Sequence, residues 1–433
     1  MSFAIRASVL HCLRDPGLSG DTRAVQCLRD AIVLVRNGKF ELVGDAAQIA
    51  PQLGDDIRVF DHRDKFLLPG FIDTHVHFPQ VDVIASYGTQ LLEWLEKYTF
   101  PEETKFVDEA HATQTARFFL DRLLENGTTT ASVFCTVHPE SVNAFFSESE
   151  ARGLRMIAGK CLMDRNAPDG LRDSAQSGIR ESRELIERWH RHQRSLYAIT
   201  PRFAATSSEA QMHAIGELAK QFPDTYIQSH VAENKAEIEW IAKLFPSHRS
   251  YLDVYDAYGL LREKAIYAHC IYLDDTDRAR MMATGATPSF CPTSNLFIGS
   301  GLYNLQQALA AGNRVSIGSD VGGGTSYSLL RTLSEAYKVQ QLQGISLSPA
   351  YALYMATLGG ARALSLDDKL GSIEVGKEAD FVLLDPNATP LLARRSALRD
   401  DPLDMFFAWM MLGDDRMVAA TYANGKCVNQ RTN

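Results

Sequence analysis

No pair of cysteines in this chain has the C-x-x-C spacing of a thiolate metal site. The seven cysteines, Cys12, Cys27, Cys135, Cys161, Cys270, Cys291 and Cys427, are scattered and odd in number. That pattern speaks against a disulfide scaffold and for a reducing compartment. Long apolar runs are also missing. The longest, "MFFAWMML" at 405–412, is far too short to span a bilayer. The start, "MSFAIRASVLHCL", lacks the apolar core of a signal peptide. The expected location is therefore the cytoplasm, with no membrane partner. Positive charge is not in excess: the formal net charge is −9, which argues against an electrostatic grip on nucleic acid. Short-period repeats, low-complexity tracts and obvious linkers are absent as well. What remains is an ordinary globular composition, 45% hydrophobic and 22% charged over 433 residues, enough for one large domain and a smaller one.

Both ends of the chain read as strands. "AIVLVRNGKFELVG" (31–44) is two apolar runs around Asn37-Gly38, and "MVAATYANGKCV" (417–428) repeats the arrangement around Asn424-Gly425. Each is a hairpin signal. "ADFVLLD" (379–385) adds a further strand. Strands at both ends could share one small sheet domain, with the middle inserted between them. In the middle, apolar runs alternate with helical patterns. "ARFFLDRLLENG" places Ala116, Phe119, Leu120, Leu123 and Leu124 on one face and stops at Gly127. "TTTASVF" (128–134) follows as a strand. "SSEAQMHAIGELAKQF" carries a capping signal and a stripe of Ile215, Leu218, Ala219 and Phe222. Repeated βα units suggest a parallel barrel or an open sheet.

In such a barrel, function gathers where strands end. "FIDTHVH" closes with His75 and His77, "TPRF" with Arg202, "SHVAEN" with His230, "YAHC" with His269, and "GSD" with Asp320. A lone strand-end histidine is ordinarily a hydrogen-bonded core residue, and a strand-end aspartate is often a helix cap. Four histidines and a carboxylate at the closing positions of successive apolar runs point instead to a metal site. Residues i and i+2 of a strand share a face, so His75 and His77 can aim together at the barrel axis. Imidazoles with one carboxylate suit zinc or ferrous iron, which acidifies a bound water to about pH 7. Glu233, just past His230, is the expected general acid/base; the bland reading is a carboxylate in the first turn of the next helix.

These residues resemble the amidohydrolase superfamily of metal-dependent hydrolases, through "PGFIDTHVH", His230, His269 and Asp320. Within it they are similar to the guanine deaminases, through "HFPQ" (77–80), "PRF" (201–203), "HVAEN" (230–234), "CPTSNLFIGSGL" (291–302) and "SDVGGGTSYSLL" (319–330). "GSIEVGKEADFVLLD" and "GDDRMV" match the family's C-terminal region. The resemblance implies an α/β fold: a (β/α)8 TIM-like barrel over 67–373, flanked by a small β-sandwich built from 1–66 and 374–433. It implies one zinc held by His75, His77, His230 and Asp320, with His269 ligating or hydrogen-bonding the water. Binuclear relatives carry a bridging lysine near the end of strand 4. Here that stretch reads "YAITPRF", and Lys160 lies earlier in the chain, so one metal is expected.

The implied reaction is hydrolytic deamination of guanine, with Glu233, Asp320 and His269 catalytic. The expected substrate-binding set is His77, Gln80, Arg202, Phe203, His230 and Asp320. Arg202 can fork onto the O6 and N7 acceptors, which a guanidinium matches bidentately. Gln80 offers both donor and acceptor to a mixed ring edge, and Phe203 can pack on the purine face. His138 could also approach the pocket; otherwise it is a loop histidine. A homodimer is expected from the family and from the apolar 405–412 stretch, which reads equally well as core. Two alternatives stand: deamination of another purine, pterin or triazine by the same site, and a metal-holding scaffold without turnover, against which Glu233 argues.

Overall fold

The computed structural model describes residues 2–88 and 90–431. The chain forms two compact units. One comprises Met1–Ile72, Asp121–Thr130 and Tyr327–Asn433, and the other Asp73–Leu120 and Ala131–Ser326.

The first unit is built on a seven-stranded mixed sheet. Its strands are Ser2–Cys12, Val25–Arg36, Lys39–Asp45, Val59–Pro69, Phe381–Leu384, Val418–Ala423 and Lys426–Gln430. Both expected hairpins form. Asn37 and Gly38 have φ of 51° and 77°, and Asn424 and Gly425 have 50° and 70°. Positive φ at both central residues is the type I′ requirement that Asn-Gly meets with least strain. The sheet curls on itself: Phe3 on the first strand lies 5.8 Å from Tyr422 on the sixth, and Phe40 lies 5.9 Å from Phe381. These pairs sit on strands that are not neighbours, so one rolled sheet encloses its own core of Ile5, Val33, Val35, Leu67, Phe381 and Leu383. The apolar stretch at 405–412 lies in the helix Pro402–Leu412, with Met405, Phe406, Ala408, Trp409 and Met410 buried. It is core.

Eight parallel strands form the nearly closed barrel. They are Phe71–His77, Thr128–Phe134, Arg155–Gly159, Leu196–Pro201, Tyr226–Val231, Ala265–His269, Thr287–Phe290 and Ser316–Ile317. Beyond the last strand, Asp320 N donates to His75 O at 2.9 Å and His77 N donates to Val321 O at 2.8 Å, which bring the ends of the sheet together. Helices between the strands start on side-chain caps. Ser208 accepts from Gln211 N, and Asn234 and Glu237 form a reciprocal capping box. The barrel interior holds hydroxyls that satisfy one another: Thr74 Oγ1 meets Ser289 Oγ at 2.7 Å and donates to Ile317 O at 2.9 Å.

The described residues between Phe78 and Val107 carry no clear periodicity and include a series of short helices. Leu91, Trp94, Leu95 and Phe100 from this run pack with Phe134, Cys161, Met163 and Ile298. That cluster roofs the ends of the barrel strands.

Candidate active site

The first strand delivers Asp73, His75 and His77 on one face, all buried. Asp73, given no role by the strand-end pattern, belongs to the site. Its carboxylate accepts from Ser319 Oγ, from Ser319 N at 3.0 Å and from His75 N at 3.2 Å, which ties the first strand to the loop before Asp320. Burial pushes this carboxyl up to about 6, against the pull of those hydrogen bonds. The loop must come close, and Gly318 allows it. A Cβ there would stand 2.8 Å from His75 Cβ and 2.9 Å from Ser289 Oγ. His269 and Asp320 sit at φ of 71° and 51°, in the left-handed region that L-residues rarely enter.

The side chains converge. His77 Nε2 lies 3.2 Å from both His75 Nε2 and His230 Nε2. Asp320 Oδ1 lies 3.1 Å from His75 Nε2 and 3.3 Å from His77 Nε2. His269 Nε2 stands 3.7 Å from Asp320 Oδ2 and 3.4 Å from Glu233 Oε2. One ligand atom each from His75, His230, His269 and Asp320 lie within 4.8 Å of one another.

The hydrogen bonds around the cluster suit a cation site. His230 Nδ1 donates to Arg202 O at 2.6 Å, and His269 Nδ1 faces Asn295 Oδ1 at 2.8 Å. Both bonds turn the Nε2 atoms to the cluster, and His230, with Nδ1 bound to a carbonyl, presents Nε2 as a lone pair. His269 Nε2 is buried with no hydrogen-bond partner. Burial, together with the neighbouring imidazoles, pushes His230 well below its usual range, and burial lowers His77 to about 4. Burial alone would raise Asp320, but His75, His77 and His269 more than offset it and hold the carboxyl well below the usual range. Imidazole nitrogens and a carboxylate gathered at these separations can be bridged by one cation. A tetrahedral zinc with bonds of about 2.0–2.1 Å sets its ligands about 3.3–3.4 Å apart, close to the separations seen. The donor set fits the metal.

Glu233 follows Ala232, which has a φ of 51°. Its Oε1 accepts from Ser300 Oγ at 2.9 Å. Burial and, next, the charge of Asp320 raise its carboxyl well above the ordinary range. The Glu237 carboxylate accepts from Glu233 N at 3.0 Å and Asn234 N at 3.2 Å, and from Tyr251 OH at 2.8 Å, so the peptide that carries Glu233 is fixed.

A cavity opens on this cluster. Its lining includes His77, Gln80, Arg202, Phe203, His230, Glu233, His269 and Asp320, with Leu91, Trp94, Leu95 and Ile298 as apolar walls. All six residues expected to bind substrate are thus present. Arg202 is buried, not a surface arginine. Its guanidinium donates to Glu103 and lies 5.4 Å from the centroid of the Phe100 ring. Gln80 Nε2 donates to the same Glu103 at 3.1 Å, and Gln80 Oε1 accepts from Gly322 N at 3.2 Å. Phe203 packs edge-on to Trp240. Glu103 was not legible in the sequence, because nothing in "FPEETKF" separates it from a surface acid. His138 precedes the helix Pro139–Ala151 and is not among the cavity's lining residues. Lys160 is buried against Asp173 at 2.6 Å and Glu181 at 3.5 Å.

Residues 66–428 match the amidohydrolase family. The guanine deaminase of Escherichia coli K12 is 49% identical over 408 residues, covering 94% of this chain and 93% of that protein. The solved E. coli guanine deaminase superposes with a TM-score of 0.98 at 47% identity, over 99% of this chain and 100% of the other. The guanine deaminase of C. acetobutylicum, with guanine bound in its active site, superposes with a TM-score of 0.88 at 28% identity, again over 99% and 100%. The chain belongs to the amidohydrolase family, and within it to the guanine deaminases.

Proposed function

We propose that this chain hydrolyses guanine to xanthine and ammonia at the cavity described above, with one zinc or ferrous ion held by His75, His77, His230 and Asp320. The observation that carries the reading is a cluster of imidazole nitrogens and one carboxylate beside a cavity that also holds a buried guanidinium. The relatives named above are guanine deaminases, and the site chemistry suits that substrate. When bound, the metal lowers the pKa of a coordinated water towards neutrality and so supplies a nucleophile.

The chain's own residues do the rest. Arg202 turns N–H groups towards O6 and N7. Gln80 reads the adjoining ring edge, and Phe203 packs beside the purine. Asp320, already deprotonated, takes a proton from the attacking water as its oxygen adds to C2. Glu233, protonated in its buried setting, gives a proton to the neighbouring ring nitrogen. The proton held by Asp320 passes to the amine, the C2–N bond breaks and ammonia leaves, and the C2 hydroxyl proton returns to Glu233 as the C2=O of xanthine forms. His269, oriented by Asn295, completes the catalytic group as a further ligand or by hydrogen bonding to the water. The count of one metal is supported by Lys160, which is buried in an ion pair, and by "YAITPRF", which carries no lysine.

We place the enzyme in the cytoplasm as a homodimer. No helix among the described residues is long and apolar enough to cross a membrane. Leu342, Leu391 and Leu398 are 72%, 59% and 66% exposed and offer apolar surface for a second copy; light scattering decides. The function itself is tested by ammonia release from a panel of guanine, adenine, pterin and triazine amines. Guanine should dominate; faster turnover of any other compound would replace it as the substrate.

A further inference from the structure

Arg202 and Gln80, the two polar groups assigned to reading the base, hang from a single carboxylate. Glu103 takes the guanidinium on one oxygen and the Gln80 amide on the other. It is 1% exposed. Its short helix, Phe100–Glu103, also places the Phe100 ring beside the guanidinium. The carboxylate can only accept, so it fixes the Gln80 amide with nitrogen towards Glu103 and oxygen towards Gly322 N. Each group then keeps spare capacity for a ligand. Gln80 retains one N–H and one lone pair, and Arg202 retains the donors that Glu103 does not take.

We propose that Glu103 is a positioning residue for purine selection: it neutralises and aims Arg202 and sets the orientation of Gln80, without contacting the reacting atoms. This rests on the reading that Arg202 and Gln80 bind guanine. A buried guanidinium stripped of its carboxylate is unpaired and poorly placed, whereas one paired on a single arm keeps its fork for the base. The consequence falls on substrate capture. The hydrogen bonds of the Glu103 side chain run to Arg202 and Gln80, not to Glu233, Asp320 or the imidazoles.

The test uses the full-length metal-loaded enzyme in a double-mutant cycle of Glu103→Gln, Arg202→Ala and the pair, with Glu103→Asp as the conservative variant. Guanine KM, kcat, metal content and melting temperature are measured for each. Loss of a charged hydrogen-bond pair predicts a KM for guanine raised roughly 10- to 100-fold in Glu103→Gln, with kcat changed far less and metal content at the wild-type level. Glu103→Asp keeps the charge and should recover part of the loss. The double variant should lose less than the product of the two single losses, because Glu103 acts partly through Arg202, the remainder coming through Gln80. A Glu103→Gln enzyme with wild-type KM, or one whose KM and kcat decline in step with melting temperature and metal content, overturns the proposal. Multiplicative losses in the double variant overturn it too. If Arg202→Ala itself leaves guanine turnover unchanged, the underlying assignment of the base-reading residues has failed, and the proposal falls with it. That result is distinct from an effect of Arg202→Ala without one of Glu103→Gln.

Discussion

Replacing Glu233 with glutamine isolates the proton-transfer role from everything else the side chain does. The buried carboxyl accepts from Ser300 Oγ at 2.9 Å through Oε1, and its Oε2 stands 3.4 Å from His269 Nε2. Glutamine has nearly the same shape, and its carbonyl oxygen can still accept from Ser300. The peptide at Glu233 is held independently by Glu237. The fold and the metal ligands should therefore be indifferent to the change, and the exchangeable proton alone is lost. General acid–base catalysis contributes about 10²–10⁴-fold, or about 2.7–5.4 kcal/mol of barrier. The expected result is a kcat lower by that factor with KM for guanine within a few-fold of wild type, followed by the absorbance change from guanine to xanthine. Metal content by elemental analysis and melting temperature should match wild type. A Glu233→Gln enzyme turning over within tenfold of wild type, metal bound, would refute the reasoning and leave Glu233 as no more than a residue at the start of a helix.

Metal analysis should find close to one equivalent per chain, and chelation should abolish activity until zinc or ferrous iron is restored; two equivalents would refute the mononuclear site. Arg202→Ala should cost guanine kcat/KM heavily through charged hydrogen bonds worth about 1.5–3 kcal/mol each, and Arg202→Lys should recover little, because an ammonium cannot form the planar fork. Steady-state kinetics beside metal content check both, and a wild-type kcat/KM in either removes Arg202 from substrate recognition. In the terminal-sheet unit, Asp414 is lowered to about 2, chiefly by its hydrogen bond from Arg416 and, against burial, by Arg331. A depressed carboxyl stabilises the fold above the unfolded value near 3.9, and that contribution is lost as pH falls through about 2. Both arginines are more than half exposed, so Asp414→Asn should cost only about 0.5–1 kcal/mol at pH 7. In urea titrations that deficit should shrink below pH 4, and a deficit independent of pH would refute the linkage.

What could be read in the sequence was what repeats or alternates. The Asn-Gly hairpins, the stripe from Ala116 to Leu124 and the apolar runs ending in histidine are local patterns, and local patterns survive without the fold. The cluster was legible because a barrel turns the ends of distant strands to one face, so His75, His77, His230, His269 and Asp320 could be gathered by topology alone. Asp73 could have been found by the same logic. It lies two residues before His75 and therefore on the same face of the strand.

Glu103 could not have been found that way. It lies outside any strand, in a series of short helices whose packing is decided by Leu91, Trp94, Leu95 and Phe100 meeting the barrel's own residues. Such short helices leave no 3.6-residue signature. Its partner Arg202 is 99 residues away. Strand-end chemistry is set by backbone periodicity, whereas the groups that tune it come from loops laid over the barrel, where tertiary contact alone distinguishes a buried carboxylate from a solvated one. The metal cluster therefore announces the reaction class from the sequence. The side chains that orient the base-reading arginine become visible only when the roof is in place.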